Sequence, residues 1–245
     1  MGALRALREL RVSFARADAL VFCYHSVRIR ERFAAQMTAL TERGYSVLSL
    51  RHFADWLRGA AMLRSPAALL TFDGGYRDQL ENAVPVLQSL GFPATFFPVS
   101  CDPDTAEPVM TRSDLLALTA AGHEIGCHTQ THPNLTRLSP DELESEVIGS
   151  KQRLEDALGQ RVTAFCYPDG ARSPRVASLV RQAGFDVAFT VDLGGVNRGD
   201  APYQLKRVPV LGEPRAGEFR AYLPGTRVLS GSLLLYWKMR ERLLE

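Results

Sequence analysis

Short apolar runs alternate with stretches of helical spacing along most of the chain, and this alternation limits the fold more than any other feature. Runs at 19–24, 45–50, 67–73, 94–100, 122–127, 162–167 and 186–191 read as strands. Between them, residues 33–44, 52–63, 78–90, 112–121, 140–158 and 174–183 carry apolar positions three or four apart. Gly44, Gly91 and Gly184 stand where helices would stop, Thr111 or Ser113 where one would be capped, and Ser139-Pro140-Asp141-Glu142 where another would open. Strands alternating with helices give a parallel sheet with crossover helices, and about seven such units indicate a barrel. A chain of 245 residues is the size of one such domain.

In α/β barrels the chemistry gathers where strands end, at the C-terminal rim. Ala67-Ala-Leu-Leu-Thr-Phe-Asp73 is an apolar run that stops on a carboxylate, followed by Gly74, Gly75 and Tyr76. The run at 122–127 leads into His128-Thr-Gln-Thr-His132-Pro133. Two His four apart share a helix face, but Pro133 disfavours the helical region for His132, so the pair belongs to a loop beyond a strand. The residues alone leave metal ligands and ordinary loop histidines as equal readings. Val162-Thr-Ala-Phe-Cys-Tyr-Pro-Asp-Gly170 repeats the layout, an apolar strand closing on an aromatic and a Pro/Gly turn.

In this order the three segments resemble the polysaccharide deacetylases of carbohydrate esterase family 4, the NodB-homology domain, over about residues 19 to 210. The resemblance implies a distorted (β/α)7 barrel. It also implies a divalent metal, zinc first and cobalt or nickel as alternatives, held by His128 and His132. Asp73 matches the general base; a plain strand-end or capping Asp is the alternative. The chain departs from the pattern at position 74, where the family has a metal-binding Asp and this sequence has Gly. Asp73, Asp78 or Asp169 could replace that ligand, the chain could be a degenerate binding protein, or Gly74 could be a variant or engineered substitution. No His follows His132, and the resemblance implies His25 as the substitute acid for the leaving amine, with a structural His bonded to a loop carbonyl as the alternative. Tyr24-His25 resembles the N-terminal segment of the poly-N-acetylglucosamine deacetylase branch, whose barrel is circularly permuted. Tyr167, Pro168, Asp169 and Gly170 are expected to shape the substrate groove and its oxyanion donors. Asp192 and Arg207 would orient Asp73 or His25, or remain solvated rim charges. Tyr76, Phe97, Tyr167 and Trp237 are candidates for stacking on sugar, with core packing as the alternative. His52 and His123 match no motif and are taken as structural.

The activity so implied is metal-dependent removal of N-acetyl, or less readily O-acetyl, groups from an amino-sugar oligosaccharide, polysaccharide or lipid-linked glycan. The alternative is an impaired carbohydrate-binding relative, for which Gly74 is the evidence. Lys plus Arg number 29 against 27 Asp plus Glu, which gives no general case for nucleic-acid binding. Cys23, Cys101, Cys127 and Cys166 show no paired spacing, and a disulfide framework is not expected. Residues 1–18 alternate Leu with Arg and lack the unbroken apolar core of a secretory signal, so a cytoplasmic location is expected. A peripheral membrane contact through this stretch is the alternative to packing beneath the barrel. The expected division is therefore an amphipathic extension at 1–18, the deacetylase domain at 19–211, and an extension at 212–245 with a terminal helix.

Overall fold

The computed structural model describes residues 17–64, 66–100 and 109–224. The expected helices at 1–18 and near the C-terminus, Cys101 and Trp237 lie outside them. Among the described residues eight strands form: β1 (Ala19–Tyr24), β2 (Ser46–Leu48), β3 (Ala67–Gly74), β4 (Thr95–Pro98), β5 (Glu124–Ile125), β6 (Ala164–Cys166), β7 (Val187–Leu193) and β8 (Leu205–Pro209). Their order is β5-β4-β3-β1-β8-β7-β6, with β2 paired to β3, and every ladder between them is parallel. β2 takes the lower half of one β3 edge, at Ala67 to Leu69, and β4 the upper half from Thr71 to Gly74. A parallel bridge from Cys127 to Phe165 joins the two ends, so the seven strands on the path form a nearly closed barrel, as expected.

Alternation along the strands makes two apolar cores. Leu20, Phe22, Tyr24, Leu70 and Phe72 face outward against the helices. Val21, Leu69, Phe97 and Phe189 point inward, and there they meet Phe53 and Trp56 of the helix Leu50–Leu57. That helix closes the barrel floor. Its first amide groups, on Leu50 and Arg51, donate to Glu124 at the start of β5. β5 is shorter than the apolar run suggested. Beside it Gly126 lies so close to the Phe97 ring that a Cβ would fall 2.1 Å from Cε1.

Two of the expected helices differ in form. The helix at 78–90 begins as a π segment (Gln79–Ala83), and the helix at 140–158 is broken by another (Ser145–Gly149). β8 was not expected, because Lys206 and Arg207 within it concealed it: Lys206 is exposed, but Arg207 points into the barrel and is fully buried. Thr111, not Ser113, caps the helix Arg112–Ala120, through a capping box with Asp114.

Candidate active site

Asp73 ends β3 pointing into the barrel, 2% exposed. Arg207 of β8 grips it with both guanidinium arms: Nη1 donates to Oδ1 at 2.8 Å and Nη2 to Oδ2 at 2.7 Å. Nε donates to the Thr190 carbonyl, which fixes the fork. The thiols of Cys23 and Cys166 each approach Oδ2 at 3.4 Å. Burial pushes the carboxyl pKa up, but the Arg207 charge and hydrogen bonds, with His128, outweigh it and hold Asp73 well below the ordinary carboxylate range. Of the two readings for Arg207, the solvated rim charge does not hold, since the side chain is buried and bonded to Asp73.

His128 stands next to this pair, and one nitrogen of its ring lies within 4.8 Å of an Asp73 oxygen and the Cys166 sulfur. Its Nδ1 is 2.9 Å from the Cys166 carbonyl. A carbonyl only accepts, so Nδ1 carries the proton and Nε2 keeps a free lone pair, the tautomer a metal ligand needs. Burial lowers the ring's pKa to about 4 despite the opposing pull of Asp73. His132 faces it, ring centroids 4.7 Å apart and nearly perpendicular. The loop between them is held in a costly shape, with φ of 66° at Thr129 and 58° at His132. Glu146, from the second π segment, stabilises it by accepting the Gln130 amide (2.8 Å), the Thr131 amide (3.0 Å) and the Thr131 hydroxyl (2.7 Å).

His25 follows β1 on the rim. Its surface is open on one side, while protein crowds the others and lowers its pKa, with Asp73 and Asp169 pulling the opposite way. The backbone around it is tied from below. Gln79 donates to the carbonyls of both His25 and Asp73. Asp78 accepts the Ser26 hydroxyl and the Val27 amide, and Asn82 donates to the Val27 carbonyl. Asp78 is thereby engaged by the His25 loop and does not join the cluster of metal-ligating groups around Asp73 and His128.

Gly74 has φ +91°, and a Cβ there would lie 2.5 Å from Cε2 and 2.8 Å from Cζ of Tyr76. The Tyr76 ring fills the space a residue-74 side chain would use. Among the described residues, Asp73 and His128 lie close enough to share a cation, with Cys166 beside them, while His132 faces His128 without joining that group and would have to turn towards it to ligate. Nitrogen and oxygen donors suit zinc, cobalt or nickel. The set is one anionic donor short of the family pattern.

Several expected contacts are corrected. The Tyr167 ring is fully buried, packed on Phe165 with its hydroxyl donating to the Tyr203 carbonyl, so it cannot stack on substrate. Phe97 is likewise enclosed, between Gly126 and Phe189. Pro168 and Gly170 are buried as well, which leaves Asp169 (φ 52°) as the exposed member of that turn. Asp192 pairs with Arg172 at 2.6 Å instead of orienting Asp73 or His25. His52 bonds the Met62 carbonyl, and His123 is buried edge-on to Phe96, both in structural roles. The sequence reading missed Cys23, Cys166, Gln79 and Glu146. The strand pattern could have flagged the thiols as inward-facing, since Cys23 lies two residues before His25; nothing local marks Gln79 or Glu146.

The family model for polysaccharide deacetylases matches residues 62–188. The poly-β-1,6-N-acetyl-D-glucosamine N-deacetylase of Escherichia coli K12 is 34% identical over 247 residues, covering 83% of this chain and 36% of that enzyme, so the chain spans about a third of its length. Among solved structures, IcaB from Ammonifex degensii superposes with a TM-score of 0.73 at 26% identity, over 80% of this chain and 93% of that one. The Streptococcus pyogenes deacetylase PplD, in complex with acetate, shares the fold with a TM-score of 0.75 at 21% identity, over 81% and 95%. With the matched residues running from before Asp73 to beyond His132, the chain belongs to the polysaccharide deacetylase family.

Proposed function

We propose that this chain is a metal-dependent N-deacetylase of an amino-sugar glycan, with Asp73 as base, His128 and His132 as metal ligands and His25 as acid. The observation that carries the reading is the meeting, at one barrel rim, of an Arg-locked carboxylate, a buried imidazole in the ligating tautomer and a second imidazole facing it. A divalent cation bound there would polarise the acetyl carbonyl and acidify the attacking water. That chemistry is needed, because an Asp73 held so strongly ionised is a weak base towards ordinary water.

Asp73 accepts the water proton while Arg207 keeps the carboxylate aligned. Within the 167–171 turn, the amides of Tyr167, Gly170 and Ala171 donate to the carbonyls of Phe189, Tyr167 and Pro168. The oxyanion therefore takes the amide of Asp169. His25 then donates its proton to the departing amine; a lowered pKa makes the protonated ring scarcer but a stronger acid. Partly buried Tyr76 lies beside the site and is the remaining described aromatic for a sugar face. A poly- or oligo-N-acetylglucosamine is the substrate we favour, a choice the E. coli relative's name supports, with a lipid-linked form of the same sugar as a variant.

Acetate release from a short N-acetylglucosamine oligomer with added Zn²⁺ or Co²⁺ tests this. Turnover that a chelator removes and His132→Ala abolishes supports it. A second reading, an impaired carbohydrate-binding relative, is favoured by the Gly74–Tyr76 arrangement. It predicts oligosaccharide binding without acetate release and no metal retained through purification.

A further inference from the structure

We propose that Gln79 is a positioning residue that sets His25 against Asp73, an inference that rests on the deacetylase reading. Its side chain is fully buried, and the two N–H groups of one amide reach two carbonyls, those of His25 and Asp73. These two residues stand at the ends of neighbouring strands, β1 and β3, so a single side chain fixes the spacing between proposed acid and base. The amide orientation is settled by its partners, since carbonyls accept and only the NH₂ donates.

Stability alone gives little reason for this residue. The Gln79 Oε1 is buried without a partner, and an orphaned buried acceptor offsets much of what the two bonds contribute. An apolar side chain of the same length would fill the site at similar cost, but it would not tie the two carbonyls. The location points the same way. Gln79 opens a π segment, and a π-bulge turns a side chain to a place that a regular helix would miss, commonly at functional sites. Its neighbours continue the clamp: Asp78 holds Ser26 and Val27, and Asn82 holds the Val27 carbonyl. From the opposite side Glu213 accepts the amides of Arg28 and Ile29. The loop after β1 is thus held on both flanks, and Gln79 is the link that reaches His25 itself.

Gln79→Met keeps length and volume but removes the donor. In the deacetylation assay we expect kcat to fall about tenfold to a hundredfold with KM within about twofold, because misplacement harms chemistry more than binding. On a His25→Ala background the same change should cost less than about threefold, since the group it positions is gone. Amide hydrogen exchange at Ser26 to Ile29 should speed up in Gln79→Met, a readout that needs no activity. An equal kcat loss on both backgrounds would mean a purely structural role and overturn the proposal. So would unchanged kcat. If Gln79→Met folds poorly, Gln79→Asn, which keeps the amide but is too short to reach both carbonyls, takes its place. If the parent chain releases no acetate from any acetylated amino sugar, the deacetylase reading fails. Exchange then decides the clamp alone, and protection unchanged by the substitution would sink it.

Discussion

Gly74 is more than a missing ligand, because its backbone lies in the left-handed region and its side-chain volume is already taken by Tyr76. Restoring the family's carboxylate by Gly74→Asp alone should therefore fail. The strained φ costs about 1–3 kcal/mol, and the new Cβ meets the Tyr76 ring at 2.5 Å. Only Gly74→Asp with Tyr76→Ala should tighten Zn²⁺ binding, by tenfold or more, and calorimetric titration of the four combinations measures the coupling. Tight binding by the single Gly74→Asp variant would show that Tyr76 moves aside freely. Arg207 offers a second test. Replacing it by Met leaves Asp73 buried without its partner, so burial's upward push on the carboxyl pKa is opposed only by the pull of His128 and His25. Urea unfolding should show a loss of about 3–5 kcal/mol, with activity falling alongside. Arg207→Lys keeps the charge without the two-armed grip and should fall between Met and the parent.

Elements rather than single residues explain why the ligand loop keeps its shape. Both π segments deliver a side chain to a site loop, Gln79 to the loop after β1 and Glu146 to the loop at 129–132. Glu146→Gln would convert an oxygen that accepts two amides into a group with donors of its own. The positive-φ residues Thr129 and His132 would then lose the contact that holds their neighbours. The expected outcome is about a tenfold weaker Kd for Co²⁺, as for other groups that orient ligands; an unchanged Kd would mean that the loop holds itself. None of this could be read from the sequence, since a single π turn shifts the apolar register of a helix by about one residue, too little to stand out from ordinary irregularity. The strands that carry Asp73 and His25 were legible because they are long, apolar and end on chemistry. β8 was not, because a buried Arg in a strand reads as a surface charge until its carboxylate partner, 134 residues away in the chain, is known.

For the whole molecule, inward and outward strand faces build separate cores that share one polar layer at the rim. The barrel was predictable from alternation alone, whereas its closure rests on a single bridge between Cys127 and Phe165, a long-range pairing with no local signal. This layout places two buried imidazoles on the same strand line, His128 at the rim and His123 before β5 near the floor, and both are disfavoured as cations by burial. Neither ring nitrogen of His123 has a partner. A folded pKa below the unfolded one means that the unfolded chain binds more protons, so stability is full above about pH 6.5 and declines as pH falls. For His128 the interval runs from the ordinary 6.5 down to about 4, a penalty of roughly 3 kcal/mol once complete. Asp73 keeps nearly all of its stabilisation over this range, because its loss begins only as pH approaches the ordinary carboxylate value of 3.8. Urea midpoints of the metal-free chain should therefore drop steadily between pH 7 and pH 4. His123→Leu should lessen the drop without altering stability much at pH 8, since a neutral His and a Leu both suit that apolar pocket. A midpoint independent of pH across this interval would mean that both rings find water or partners when charged, and that the barrel floor is wetter than its packing implies.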